Sequence, residues 1–224
     1  MKDNSVSAIA ASAISDLISV LMGGIPLSTA QTTLQSAFEK YLDRRKKEAR
    51  EILLEEIGDG LRLSSDVQSD RFFSLLFKYI TAARQGAARL NLRLLAGLIN
   101  GSNKATLEIR ADDLSYYAEL ISQLGRDEVI LIATLWKHHS ATNQDSDEEQ
   151  VREIRAFEKT QSELIPSYFQ SKLHLMAVGQ SAARTGLLVL SSVWGGTRID
   201  LGPLVEKIVS LSSFEAALAK EPVI

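Results

Sequence analysis

Cysteine is absent from this chain of 224 residues, and histidine occurs only three times. Without cysteine the chain can form neither a disulfide bond nor a thiolate nucleophile. Iron–sulfur clusters and cysteine-ligated zinc sites are excluded for the same reason. Any chemistry or binding must therefore rely on side chains that carry oxygen, nitrogen or apolar groups.

Proline is also scarce, with four residues, which is about 2% of the chain against a typical value of about 5%. Because proline interrupts helices, its rarity leaves long stretches free to form them. The sequence therefore predicts a mainly α fold, a multi-helix bundle with one short β-hairpin near the C-terminus.

The first part of the chain, residues 1–110, is predicted to be a helical region. Its apolar residues recur at intervals of three and four, which is the spacing of one helix face. The periodicity predicts helices over about 7–22, 28–57 and 66–100. Within the first, the apolar run 8–22 is interrupted by Asp16 and is shorter than the ~20 residues that span a bilayer. We therefore expect a buried or amphipathic helix there rather than a signal peptide or a membrane anchor.

The predicted helix over 66–100 leaves one question of shape open. Gly86 lies inside it, so either one long helix or two helices that meet near Gly86 would fit. The pair Asn100-Gly101 predicts where the helical segment ends. The apolar face assigned to its first half consists of Phe72, Phe73, Leu75, Leu76, Tyr79 and Ile80.

The second part of the chain, residues 111–224, is predicted to combine helices with a hairpin over about 187–201. Two β-compatible segments flank Gly195-Gly196, which is a hairpin signal. A last helix is predicted from Pro203 to about Ala219. The three helices predicted directly before the hairpin are Asp127–His139, Glu148–Ile165 and Ser167 to about Thr185. This order of elements is compatible with a winged helix.

The net charge of −3 hides two segments of opposite sign. Residues 71–110 hold seven bases and one acid, whereas residues 144–163 hold seven acids and three bases. Arg84, Arg89 and Arg93 of the basic segment are candidate contacts for nucleic acid or another anion, such as a membrane surface. The alternative is a solvated face, or charge complementarity with the acidic segment or with a second copy of the chain.

Three further basic residues would contact DNA if the second part were a DNA-binding winged helix. Lys172 and Arg184 would be presented by its third helix and Arg198 by the hairpin. The acidic segment 144–163 lies on the supporting helix, and its negative charge opposes such a role.

No arrangement of residues in the sequence indicates catalysis. His138 and His139 are adjacent and therefore point to different sides of a helix, and His174 has no identifiable partner. The patterns G-x-S-x-G, G-x-G-x-x-G, Walker A and H-E-x-x-H do not occur. We expect no enzyme activity, no metal site, no cofactor and no small-molecule substrate.

The segment from Phe72 to Phe214 has a recurrent order of features. A helix with an Asn/Gly stop (94–102) precedes a helix with an acidic N-terminus, a second apolar helix, a Gly-Leu-Leu segment (186–188), the hairpin and a final helix. This order resembles that of uncharacterised bacterial all-helical proteins of unknown function that have a winged-helix-like C-terminal part. The resemblance implies the architecture and carries over no catalytic residue.

These observations favour a non-enzymatic, cytoplasmic bacterial helical protein that acts through protein–protein contacts or self-association. One alternative is a winged-helix-like regulator that binds nucleic acid. The other is a peripheral membrane protein that uses residues 8–22 together with the basic segment.

Overall fold

The computed structural model describes residues 32–58, 66–104, 110–142, 149–193 and 196–221. Within these residues it contains nine helices and one two-stranded antiparallel hairpin. The helices are α1 (Thr32–Ile57), α2 (Asp66–Arg84), α3 (Arg89–Lys104), α4 (Ala111–Gln123), α5 (Arg126–Thr142), α6 (Glu149–Leu164), α7 (Lys172–Ala183), α8 (Pro203–Val209) and α9 (Phe214–Lys220). The strands are β1 (Leu188–Val193) and β2 (Gly196–Leu201). The predicted mainly α fold with one hairpin near the C-terminus is confirmed.

Two predictions about the beginning of the chain fall outside the described residues. They are the helix over 7–22, with its apolar run 8–22, and the first residues of the helix over 28–57. The described part of the latter is α1, which ends at Ile57. None of the described helices combines the length and the apolar composition needed to cross a membrane.

The chain divides into two compact units, Met1–Gln123 and Leu124–Ile224. This division lies one helix later than the boundary that the sequence favoured, after residue 110. The physical reason is that α4 buries its apolar face against α2 and α3 of the first unit. The side-chain amide of Asn91 on α3 also donates a hydrogen bond of 2.8 Å to the carbonyl of Ile121 on α4.

The segment predicted as a helix over 66–100 is two helices, and Gly86 separates them. Gly86 has a φ of 86°, which favours glycine. Its N–H donates to the carbonyl of Ala83 at 3.3 Å, and the N–H of Ala87 donates to the carbonyl of Ala82 at 2.9 Å. These two bonds form a Schellman cap, in which a left-handed glycine ends a helix and satisfies its last carbonyls.

The pair Asn100-Gly101 does not end α3, which continues to Lys104. The side-chain amide of Asn100 instead donates a hydrogen bond of 2.7 Å to the carbonyl of Glu56. Glu56 lies in the last turn of α1, where carbonyls have no partner within the helix. The predicted helix end is therefore wrong, because Asn100 caps the neighbouring helix and not its own.

The second unit is built around α5, which packs against α6, α7, α9 and strand β2. Leu190 of β1 lies opposite Ile199 of β2 in the hairpin. The Ile199 side chain is fully buried and lies so close to Gly179 on α7 that a β-carbon there would be 2.2 Å from its Cδ1 atom. The hairpin and α7 are thus in contact at a position where only hydrogen fits.

The predicted last helix from Pro203 to Ala219 is two short helices, α8 and α9. The hydroxyl of Ser213 accepts a hydrogen bond of 3.2 Å from the N–H of Ala216 and caps the start of α9. A serine in this position satisfies an otherwise unpaired helix N–H, which favours a new helix start over continuation of the first.

We expect Gly179→Ala to destabilise the second unit by about 1–3 kcal/mol, because the added methyl group would displace Ile199 from the core. Urea denaturation of the full chain would measure the change. Ala177→Ser on the exposed face of the same helix is the matched control and should change stability by less than about 0.5 kcal/mol. Equal stability of the two variants would contradict the close packing at Gly179.

Candidate interaction surface

Two of the basic residues predicted to bind an anion contact acidic side chains of α1 instead. Arg93 is only 5% exposed, and its guanidinium donates to the carboxylates of Glu55 at 2.8 Å and Glu56 at 3.0 Å. Arg89, one turn earlier, donates to Glu48 at 2.7 Å. Both arginines do lie on one face of their helix, but that face packs against α1.

Glu48 is shared between two arginines. Arg45 on the same helix donates to it at 2.8 Å, in addition to Arg89. Partial burial acts to raise the pKa of Glu48, but hydrogen bonds and charge from Arg89 and Arg45 outweigh it and hold this pKa below its ordinary value. The carboxylate is therefore ionised at neutral pH and neutralises part of the basic segment.

The remaining bases of the first unit include Lys78 and Arg84 of α2. Lys78 donates to Glu119 of α4 at 2.8 Å, and the hydroxyls of Ser74 and Ser115 are 3.3 Å apart. The hydrogen bond from Lys78 is the main reason why the pKa of Glu119 lies below its ordinary value. Arg84, the last residue of α2, is exposed. The acids that balance the basic segment thus come from α1 and α4.

Lys172 and Arg184 lie at opposite ends of α7, so they do not form one basic surface. Lys172 is exposed at the first position of the helix. Arg184 follows its last residue, and its guanidinium donates to both carboxylate oxygens of Glu128. Burial acts to raise the pKa of Glu128, but hydrogen bonds from Arg184, Ser181 and the Gly125 N–H hold this pKa below its ordinary value.

Arg198 lies inside the second unit and not on an exposed wing. Its exposed fraction is 7%, and it donates to the two carboxylate oxygens of Asp200 at 2.5 and 3.0 Å. It also donates to Glu153 of α6 at 2.7 Å. Residues 198 and 200 share one face of β2, because side chains alternate along a strand, and this face meets α6. The expectation that Arg198 contacts DNA from the hairpin is therefore corrected.

Two carboxylates, those of Glu153 and Asp200, share the single guanidinium of Arg198. Burial is the largest cause that raises the pKa of Glu153, and the charge of Asp200 raises it further. Arg198 acts in the opposite direction without cancelling these effects. The pKa of Glu153 therefore lies above its ordinary value despite the ion pair with Arg198.

The three histidines each contact a different group. His138 forms a hydrogen bond of 2.8 Å with Glu163 across α5 and α6. The others lie against aromatic rings, His139 against Trp136 and His174 against Phe169. Among the described residues, no three histidine, aspartate or glutamate side chains are grouped as metal ligands.

Two phenylalanines on α2 expose their rings, which the sequence analysis did not foresee. Phe73 is 49% exposed and Phe77 is 59% exposed. They are four residues apart and therefore lie on the same helix face. The prediction that Phe73 belongs to the buried apolar face is wrong, and that predicted face did not include Phe77. A helical projection would have separated both from the buried arc of Phe72, Leu76 and Tyr79, because each residue turns the helix by 100°.

We expect Arg93→Ala to lower the free energy of unfolding by about 2–3 kcal/mol, because it removes a buried cation that contacts the carboxylates of Glu55 and Glu56. Lys78→Ala removes an exposed ion pair and should cost less than about 1 kcal/mol. Chemical denaturation of both variants would make the comparison. An Arg93→Ala protein of unchanged stability that has lost affinity for an anionic ligand would show that Arg93 is a binding residue.

We expect the free energy of unfolding of the Glu153→Gln variant to rise relative to that of the natural chain as the pH rises from 5 to 7. The folded state raises the pKa of Glu153 above its ordinary value of 4.5, so its proton stabilises the fold at low pH and is lost as the pH rises through that raised pKa. Glutamine keeps an acceptor for Arg198 without the charge. Urea denaturation at both pH values should show a relative gain of about 1 kcal/mol or less. A relative loss would contradict the burial of Glu153 beside Asp200.

Comparisons of the chain with protein-family models, with curated proteins and with solved structures found no match. The resemblance over Phe72 to Phe214 accordingly stays one of element order. No binding residue is carried over from another protein, and the functional argument rests on the contacts and exposure described above.

Proposed function

We propose that this chain is a non-enzymatic protein that acts through protein–protein contacts, with the exposed face of α2 as its contact surface. The observation that carries the proposal is the pair of exposed rings of Phe73 and Phe77. Burial of aromatic surface against a partner is favourable because it removes apolar area from water. Aromatic residues are also enriched in the central, tightly bound part of interfaces.

The helix that carries these rings is anchored on its other side. The hydroxyl of Tyr79 is buried and donates a hydrogen bond of 2.6 Å to the carbonyl of Ala49. Burial raises the pKa of Tyr79 well above its ordinary value, so the donor keeps its proton. A surface that is ordered before binding loses less entropy when a partner contacts it. This supports α2 as a preformed contact helix.

The contacts of the other basic residues favour a protein partner over nucleic acid. Arg184 would have to leave Glu128, and Arg198 would have to leave the buried carboxylate of Asp200, before either could bind a phosphate. In a DNA-binding winged helix, α7 would have to lie in a groove of the DNA. The most exposed apolar side chain of this helix is Leu173, which is 81% exposed. Within residues 172–183 this helix carries a single lysine, Lys172, which is little of the phosphate-neutralising charge that DNA affinity requires.

We expect the double variant Phe73→Ser/Phe77→Ser to weaken self-association about ten-fold or more, because it removes both rings from the contact surface. Sedimentation velocity over a range of concentrations would measure the dissociation constant. Leu173→Ser is the matched control, since it removes an exposed apolar side chain from the other unit and should leave the constant unchanged. Circular dichroism would verify that each variant is folded.

Two results would contradict the proposal. One is a chain that sediments as a monomer at every concentration and also retains no partner protein in pull-downs, and the other is equal dissociation constants for the double variant and the natural chain. Duplex DNA binding that weakens with salt and is lost on Arg184→Ala would favour the nucleic-acid alternative instead.

A further inference from the structure

We infer that α2 joins two copies of this chain in an antiparallel, two-fold symmetric pair that is centred on Phe77. The inference rests on the proposed function and adds the identity and the orientation of the partner. It follows from the order of residues along the exposed face of α2 and from the charges at its two ends.

The exposed face of α2 is a continuous stripe that consists of Asp70, Phe73, Phe77 and Arg84. Asp70, Phe77 and Arg84 follow one another at intervals of seven residues. Phe73 lies three residues after Asp70 and four before Phe77. Steps of three, four and seven keep side chains on one line of a helix, which is the spacing of a helix–helix contact. The stripe has two apolar rings at its centre and one charge at each end.

The charges at the two ends have opposite signs and are equally far from the centre. Asp70 lies seven residues before Phe77, and Arg84 lies seven residues after it. In an antiparallel pair centred on Phe77, Asp70 of each copy would face Arg84 of the other, which gives two ion pairs by symmetry. A parallel pair would place Asp70 against Asp70 and Arg84 against Arg84. Charge complementarity therefore selects the antiparallel arrangement.

Arg84 already interacts with a group of its own chain. A guanidinium carries five N–H donors, so one carboxylate of a second copy does not exhaust them. The helix dipoles add to the preference, because antiparallel helices bring ends of opposite partial charge together.

The sizes of the side chains along the stripe fit the same arrangement. Four residues separate Phe77 from Phe73 on one side and from Thr81 on the other, so Phe73 of one copy would face Thr81 of the second copy. Thr81 is half-buried and much smaller than phenylalanine, which leaves room for the ring. The Phe73 ring contacts Phe72 edge-on, with ring centroids 5.5 Å apart.

The length of the stripe sets the strength of the pair. From Asp70 to Arg84 the helix rises about 21 Å, so each copy contributes one helix face. A stable interface of standard size buries about 800 Å² on each partner, and we expect a single helix face of this length to bury less. The dimer is therefore reversible, and its amount depends on protein concentration.

Charge reversal at the two ends tests the orientation. Asp70→Lys and Arg84→Glu should each weaken the homodimer about five-fold or more at low salt, because each creates two like-charged pairs in the antiparallel dimer. An equimolar mixture of the two variants should dimerise like the natural chain, since both ion pairs are restored between unlike copies. Sedimentation velocity with a fluorophore on one variant would detect the mixed dimer.

The absence of cysteine allows a second measurement on the full chain. Asp70→Cys and Arg84→Cys each introduce a single thiol, and a short bifunctional maleimide should link the two variants to each other. Linkage within either variant alone should be rare, because the two copies of each position would lie about 21 Å apart along the helix axis.

The outcomes separate this inference from the proposed function. Dissociation constants unchanged by both charge reversals, or efficient linkage of Asp70→Cys to itself, would overturn the antiparallel pair. If Phe73→Ser/Phe77→Ser still weakens self-association in that case, the contact surface on α2 stands and only its orientation is wrong. If the double variant also has no effect, the proposed function fails as well.

Discussion

The burial of the Arg93 guanidinium is the constraint around which the first unit is arranged. A buried cation without a partner costs several kcal/mol, so α1 must bring carboxylates against α3. Glu55 and Glu56 supply them at 2.8 and 3.0 Å. The same register places Glu48 beside Arg89 and the carbonyl of Glu56 beside Asn100. One electrostatic requirement thus aligns the two helices over about three turns.

This alignment decides which side chains the first unit leaves exposed. The basic segment looked like an anion-binding surface because its net charge is concentrated in forty residues. In the folded unit Arg89, Arg93 and Lys78 contact carboxylates of α1 and α4. Arg198 of the second unit likewise forms ion pairs with the carboxylates of Asp200 and Glu153. The number of charges in a segment is therefore a poor guide to a binding surface when the opposite charge lies on an adjacent helix.

Periodicity predicted most of the described helices, because burial of one face requires a regular spacing of apolar residues, and β-compatible residues around Gly195-Gly196 predicted the hairpin. The ends of the helices were harder to predict. Gly86 could continue or end a helix, since a glycine within a helix costs only about 1 kcal/mol. The pair Asn100-Gly101 is typical of a helix end, but the side chain of Asn100 caps the neighbouring helix α1 by a hydrogen bond to the carbonyl of Glu56. Such a cap depends on which helix lies beside Asn100 in the fold, and the residues around Asn100 in the sequence do not contain that information.

The candidate surface was only partly accessible to sequence reasoning. The position of Phe77 outside the buried arc of α2 follows from a helical projection, so the sequence contained that signal. Whether another helix covers the side of α2 that carries Phe77 follows only from the packing of the unit. The placement of Arg198 was more accessible, because its spacing of two from Asp200 on a strand indicates an ion pair on one face.

In the antiparallel pair that we propose, affinity and orientation would have separate sources on the exposed face of α2. Exposed ion pairs such as Asp70 with Arg84 of a second copy contribute little free energy, typically less than about 1 kcal/mol each. The rings of Phe73 and Phe77 bury apolar surface but have no direction along the helix axis, so they would accept a parallel and an antiparallel partner alike. The charges at the two ends make one of these arrangements repulsive. In the pair that we propose, the apolar residues at the centre of α2 would supply the affinity for a second copy, and the opposite charges at its ends would specify the direction in which that copy lies.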